Sequence, residues 1–302
     1  MQVHHSENQK HHNEKSDQVI ETTNLMIPGP AGRLSVRTKG LGSKPKDVLI
    51  LVQASNMSGQ MGYDFSFPGG ENYSMMDALV RAGIGAVTFS IRGYALSDPP
   101  ADPFSVQTEQ AIEDTEAVVD WVRNQGFARP HMLGFSWGGR IAGRYVEKHA
   151  ELVDRLVLMD PARGGNAPTL PAPTDPWWYN TFEFFKDRLE ADFTDQDART
   201  ALAMRMSTEE LKAPNGIRME GAIGSPTPID PTAITRPTMM LYGVGAAKAP
   251  YMQSGLERME FFKQLATDDK AFVIIPGCGD YAHLQRPRAR IYKAVIDFLK
   301  QG

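Results

Sequence analysis

Six short apolar runs, at residues 48–52, 86–91, 131–135, 156–159, 238–242 and 271–275, constrain this chain more than any other feature. Each is too short for a stable helix. Residues 48–52, Val-Leu-Ile-Leu-Val, are continuously apolar, as a strand buried on both sides of a parallel sheet must be. The stretches between them carry a helical period. Residues 108–125 place Ala111, Ala117, Val118, Trp121 and Val122 on one side and stop before Gly126. Residues 74–82, 139–149, 256–265 and a last segment ending at Phe298 read the same way. Strands alternating with helices predict an α/β fold with a mostly parallel, doubly wound sheet. Two further strands, 25–28 and 34–38, flank a Gly-Pro turn ahead of it, and no internal repeat is present.

The alternation breaks at 162–234, where prolines and aromatics concentrate, among them Pro171, Pro173, Pro176, Trp177, Trp178, Tyr179, Phe182, Phe184 and Phe185. This reads as an inserted, largely helical cap with helices near 181–189 and 195–206, dividing a core of 21–161 and 235–302. Residues 1–20 read as a disordered polar tail, and His4, His5, His11 and His12 within it as solvated side chains. A length of 302 residues, 41% of them apolar, suits one large α/β domain with an insertion.

Charge and cysteine content exclude several partners. The formal net charge of −4, with no long basic run, argues against nucleic acid and anionic membrane. Cys278 is the sole cysteine, so neither an internal disulfide nor a multi-cysteine metal site is expected. The N-terminal segment lacks the apolar centre of a secretory signal, and no run approaches the ~18–20 apolar residues that span a bilayer. The expectation is a cytoplasmic protein. Neither H-E-x-x-H nor a suitably placed G-x-G-x-x-G occurs, so no metal or organic cofactor is expected. The sequence does not specify an oligomeric state.

The chemistry concentrates at Gly134-Phe135-Ser136-Trp137-Gly138-Gly139, which follows a strand and opens a helix. G-x-S-x-G in that setting makes a strained turn that lifts the serine hydroxyl above the sheet edge. Glycines flank it because a Cβ there would collide with the turn, and the helix N-terminus behind it favours developing negative charge. The bland alternative is a tight turn with a bystander serine.

From about Leu25 to its end, the chain resembles the α/β-hydrolase superfamily, on this motif and three others. Residues 51–56, Leu-Val-Gln-Ala-Ser-Asn, resemble its strand and oxyanion loop, with Gln53-Ala54 where His-Gly is common. Residues 91–97 resemble its Arg-Gly-x-Gly-x-Ser turn, with Ala95 in place of a glycine, and residues 279–284 resemble its C-terminal histidine loop. The resemblance implies Ser136 as nucleophile and His283 as its base, since His149 lies at the far end of the helix that begins at the turn. It also implies an acid. The turn after 238–242 holds no carboxylate, so the position after the 156–159 strand, Asp160, is expected to orient His283, with Asp280 as a rival. The oxyanion hole is expected from the backbone N–H of Trp137 and one from Ser55 or Asn56. Met57, Trp177, Trp178 and Tyr179 are candidates to line an apolar pocket, Arg163 is a weaker candidate ligand, and Cys278 reads as structural.

These parts imply hydrolysis of a small apolar carboxylic ester or lactone through an acyl-enzyme. Acyl transfer, thioester cleavage and C–C bond hydrolysis use the same parts, and a binding protein with a degenerate triad is the non-catalytic alternative. Dehalogenase and epoxide hydrolase chemistry is disfavoured, since both need an aspartate where Ser136 stands.

Overall fold

A computed structural model describes residues 20–70, 72–162, 164–165, 171–224, 226–245 and 254–301. Residues 1–19 of the expected tail, and Arg163, lie outside them. Strands β1 (Thr22–Gly29), β2 (Gly32–Lys39), β3 (Asp47–Val52), β4 (Ile84–Phe89), β5 (His131–Phe135) and β6 (Leu156–Met159) precede a two-stranded piece, β7 (Trp177–Tyr179) and β8 (Lys212–Pro214). Strands β9 (Thr238–Gly243) and β10 (Lys270–Ile275) complete the set. Helices are α1 (Gly59–Tyr63), α2 (Met75–Arg81), α3 (Thr108–Asn124), α4 (Trp137–Lys148), α5 (Phe182–Arg188), α6 (Gln196–Thr208), α7 (Gly216–Ile223), α8 (Gly255–Gln264) and α9 (Arg288–Leu299).

The main sheet has eight strands in the order β1-β2-β4-β3-β5-β6-β9-β10. The β1–β2 and β2–β4 pairs are antiparallel, and every later pair is parallel. The period of two in each strand divides the core. Leu49, Leu51, Leu133, Phe135, Val157 and Met159 pack on the face covered by α2 and α9. Val48, Ile50, Val52, Met132, Leu156 and Leu158 pack on the opposite face with α3, α4 and α8. Burial on both faces explains why these runs lack polar alternation. The parallel register also aligns the strand ends that carry chemistry: Phe135 pairs with Met159, and Met159 with Leu241.

Two stretches differ from the sequence expectation. The segment expected as a loop from 53 to 72 contains α1, which is capped by Ser58, whose hydroxyl accepts from Met61 N at 3.1 Å. Met61 and Tyr63 on this short helix are buried in the core, so tertiary burial stabilises a turn that is too short to form alone. The segment between β6 and β9 contains α5 and α6 as expected, and also α7 and the antiparallel β7–β8 pair, which aligns Trp177 with Pro214 and Tyr179 with Lys212. Three-residue strands carry no readable period. Among the described residues no helix is long and apolar enough to cross a membrane.

Candidate active site

Strand β5 ends at Phe135 and α4 begins at Trp137, leaving Ser136 alone in the turn with φ 55° and ψ −118°. A serine in that region stores about 1–3 kcal/mol of strain, which the surroundings must over-determine. They do so through the backbone. Ser136 N donates to Met159 O at 3.0 Å, and Ser136 O accepts from Gly139 N at 3.0 Å and Ala162 N at 2.8 Å. A Cβ at Gly134 would collide with the Gly138 carbonyl, and one at Gly138 with the carbonyl oxygens of Val52 and Gln53. The glycines therefore let the turn close on itself and press against the end of β3. Ser136 itself is part-exposed.

The loop after β3 is held by its carbonyl groups. Tyr94 OH donates to Ser55 O at 2.8 Å, and Asn180 Nδ2 donates to Asn56 O at 3.1 Å. In a trans peptide the C=O and N–H point oppositely, so fixing the Ser55 carbonyl fixes the direction of the Asn56 N–H. No acceptor among the described residues takes the backbone N–H of Trp137, Ser55 or Asn56. Gln53, where the family commonly has histidine, turns inward and accepts from Ile91 N at 3.0 Å through Oε1. Ala95 adopts φ 44° where a glycine is usual, so that turn is kept at the cost of strain.

The expected relay from Ser136 through His283 to Asp160 is not assembled by hydrogen bonds among the described residues. Asp160 lies at the end of β6, as expected, fully buried and at φ 39°. Its Oδ2 accepts from Gly243 N at 3.4 Å, and its Oδ1 stands 3.4 Å from Arg258 Nη2 of α8. Burial pushes its carboxyl well above the usual range; Arg258 opposes this and the neighbouring Asp280 adds to it. The loop carboxylate that Asp160 senses is thus Asp280, three residues before the histidine.

His283 occupies a short turn and is 1% exposed. Its ring lies 4.7 Å from that of Phe135, 5.6 Å from Tyr63 and 6.4 Å from Tyr281, between centroids. Among the described residues neither ring nitrogen makes a hydrogen bond of good geometry; the nearest polar influence on the ring is the Gly62 backbone. Burial lowers its pKa from 6.5 to about 3, with the Gly62 backbone opposing, so the ring is neutral at pH 7. The imidazole therefore packs on Phe135, the residue that precedes Ser136, and on Tyr63. His149 caps the far end of α4 against Tyr145, away from the turn, as expected.

Trp177, Trp178 and Tyr179 line a groove of about 610 Å³ together with Pro171, Pro173 and Arg218. The Arg218 guanidinium stacks 3.9 Å from the Trp178 ring centre and donates to Asn56 Oδ1 at 2.8 Å, linking groove to loop. Met57, expected to line the pocket, is instead 1% exposed in the core and is not among the groove residues. Cys278 is buried, consistent with a packing role.

Sequence reasoning did not find the contacts that tie the segment between β6 and β9 to the rest of the chain. Glu210, after α6, accepts from Ser58 N at 2.8 Å and, by a short bond, from the Ser58 hydroxyl. Glu220 of α7 accepts from Thr108 Oγ1 and from Arg140 Nη2, each at 2.8 Å, and Trp137 Nε1 donates to the same Thr108 hydroxyl at 3.0 Å. Arg140 stands four residues beyond Ser136, so its place on the buried side of α4 was readable, but its partner 80 residues away was not.

A family model described as alpha/beta hydrolase fold matches residues 49–216. Epoxide hydrolase 3 of Xenopus tropicalis is 24% identical over 258 residues, covering 72% of this chain and 65% of that protein. The 2-hydroxy-6-oxononadienedioate/2-hydroxy-6-oxononatrienedioate hydrolase of Paraburkholderia phymatum is 26% identical over 152 residues, covering 50% of this chain and 48% of that protein. The chain thus spans from about half to just under two thirds of the length of these relatives. Among solved structures, the enol-lactonase of Burkholderia xenovorans LB400 superposes with a TM-score of 0.66 at 18% identity, over 92% of this chain and all of the other, a likeness of fold.

Proposed function

This chain belongs to the alpha/beta hydrolase fold family, and from that premise we propose that it is a serine hydrolase that opens a small apolar carboxylic ester or lactone. The observation that carries the reading is Ser136 at φ 55°, presented by a glycine-closed turn at the tip of α4. Ser136 Oγ attacks the carbonyl carbon, and the carbonyl π electrons move onto oxygen. The backbone N–H of Trp137 and that of Ser55 or Asn56 receive this oxyanion. Collapse expels the alcohol and leaves an acyl-serine, which water then hydrolyses to the free acid. The proton of Ser136 passes to His283, the neutral imidazole beside Phe135, which gives it to the departing alkoxide and then takes a proton from the attacking water and returns it to Ser136 Oγ. In this reading its ring meets Ser136 Oγ only in the substrate complex, as catalytic hydrogen bonds commonly tighten there. Trp177, Trp178 and Tyr179 offer an apolar wall for the substrate. The chemistry in the name of the epoxide hydrolase relative does not transfer: it needs a carboxylate nucleophile, and a serine stands here. Acyl transfer, thioester cleavage and C–C hydrolysis use the same attack and differ in the group that leaves or arrives.

A second reading has its own support. The pairing of Asp160 with Arg258 and the aromatic enclosure of His283 favour a protein that binds an acyl ligand without turning it over. A fluorophosphonate probe separates the two. Labelling at Ser136, lost in Ser136→Ala, together with p-nitrophenyl ester hydrolysis abolished in His283→Gln, is the result expected of the hydrolase. An unlabelled Ser136 in folded protein overturns it in favour of binding.

A further inference from the structure

The buried contacts of Ser58 and Asn56 reach across the chain to one region. Ser58 is fully buried, and both its N–H and its hydroxyl donate to the Glu210 carboxylate. Asn180 Nδ2 donates at once to Glu210 O at 2.6 Å and to Asn56 O at 3.1 Å, so one amide joins the two ends of the clamp. Ser58 in turn caps α1 through Met61 N. The loop that carries the Ser55 and Asn56 N–H groups is therefore held at one end by β3 and at the other by Glu210.

A carboxylate in this position needs a reason. Glu210 is 9% exposed, and taking it out of water raises its pKa, opposed by the Ser58 donors and by Arg205, with Glu209 adding to the rise. Arg205 directs its guanidinium to the carboxylate of Glu209, not to that of Glu210. The two hydrogen bonds that hold Glu210 thus come from Ser58, on the loop. Charge-assisted bonds to a backbone N–H are short and directional, which suits a group that must hold a loop within fractions of an ångström.

We propose that Glu210 is a positioning residue, which holds the oxyanion loop in its working geometry through Ser58 and makes turnover depend on the docked inserted segment. The proposal rests on the hydrolase reading above. A small displacement of a donor from the reacting oxygen costs on the order of 100-fold in rate, because the interaction exists only in the transition state. Glu210 is not among the groove residues, and only Arg218 links groove to loop, so the loss falls more on kcat than on KM.

The test compares wild type with Glu210→Ala, Glu210→Gln and the exposed control Glu209→Gln, using a p-nitrophenyl ester, the fluorophosphonate probe and hydrogen exchange. The expected result is a kcat about 100-fold lower in Glu210→Ala, with KM within about twofold, partial recovery in Glu210→Gln, which keeps one acceptor, and no change in Glu209→Gln. Amides of residues 55–62 exchange faster in Glu210→Gln while those of β3 and β5 do not. A kcat in folded Glu210→Ala within about threefold of wild type overturns the proposal. Where that variant does not fold, Glu210→Gln decides: unchanged kcat and unchanged loop exchange sink the idea. Wild type that neither labels nor hydrolyses, with loop exchange still accelerated in Glu210→Gln, refutes the hydrolase reading and leaves the clamp standing.

Discussion

Gly138 meets the end of Val52 so closely that no side chain fits between them: a Cβ on Gly138 would overlap the Val52 carbonyl oxygen. The turn at Ser136 and the start of the loop after β3 are therefore in backbone contact. Gly138→Ala forces one to move, and overpacking of this kind costs about 1–3 kcal/mol. The expected outcome is a lower Tm together with loss of fluorophosphonate labelling at Ser136. Wild-type stability and labelling would show that the contact can relax.

The strain at Ser136 yields a second expectation. Ser136→Ala keeps the φ of 55°, whereas Ser136→Gly relieves it. Both lose covalent chemistry, but the glycine variant is expected to be more stable than the alanine variant by about 1 kcal/mol. Urea unfolding of the pair checks this, and equal midpoints would argue that the turn is unstrained.

The Asp160–Arg258 pair separates a structural role from a catalytic one. Breaking a buried ion pair by removing one member costs about 3–5 kcal/mol, because the other charge stays buried. Arg258→Met is expected to destabilise by less than that, because the Asp160 carboxyl, already raised by burial, takes a proton when its partner is lost, with part recovered in the double variant with Asp160→Asn. For an acid that orients a catalytic histidine, the asparagine substitution lowers kcat about 10⁴-fold. The pairing seen here predicts instead that Asp160→Asn changes stability more than turnover. Measured kcat and denaturation midpoints decide between them.

His283 makes stability sensitive to acid. The folded protein holds its pKa near 3 against an unfolded value of 6.5, so between these limits the unfolded chain binds more protons. The contribution is complete above pH 6.5 and is lost as pH falls from 6.5 toward 3. At its fullest it is worth at most about 5 kcal/mol. His283→Phe, which keeps an aromatic ring against Phe135, is expected to flatten this part of the pH–stability curve. Parallel curves for the two proteins between pH 4 and 7 would mean that the imidazole is hydrated and not enclosed.

The sheet was legible because the information it needs is local. Runs such as Leu49–Leu51 on one face and Ile50–Val52 on the other show their double burial as unbroken apolar sequence, and each helix between them shows its own period. The turn at Ser136 was legible for the same reason: small residues at fixed offsets dictate its backbone. Partnerships were not legible. Asp160 was placed correctly at its strand end, yet whether it meets His283 or Arg258 depends on where α8 packs, nearly a hundred residues on. His283 was placed in the right loop, but the direction of its ring was decided by the aromatic neighbours Phe135, Tyr63 and Tyr281. Ser58 and Glu210 carry no common motif, and only packing the segment between β6 and β9 against the loop after β3 brings a carboxylate onto that N–H. Sequence alone determined the main sheet, its flanking helices and the turn at Ser136, because dihedral preference and burial period act over a few residues. Tertiary structure decided which polar groups pair, because a buried charge takes whichever partner the fold brings within reach, and distance along the chain does not enter that choice.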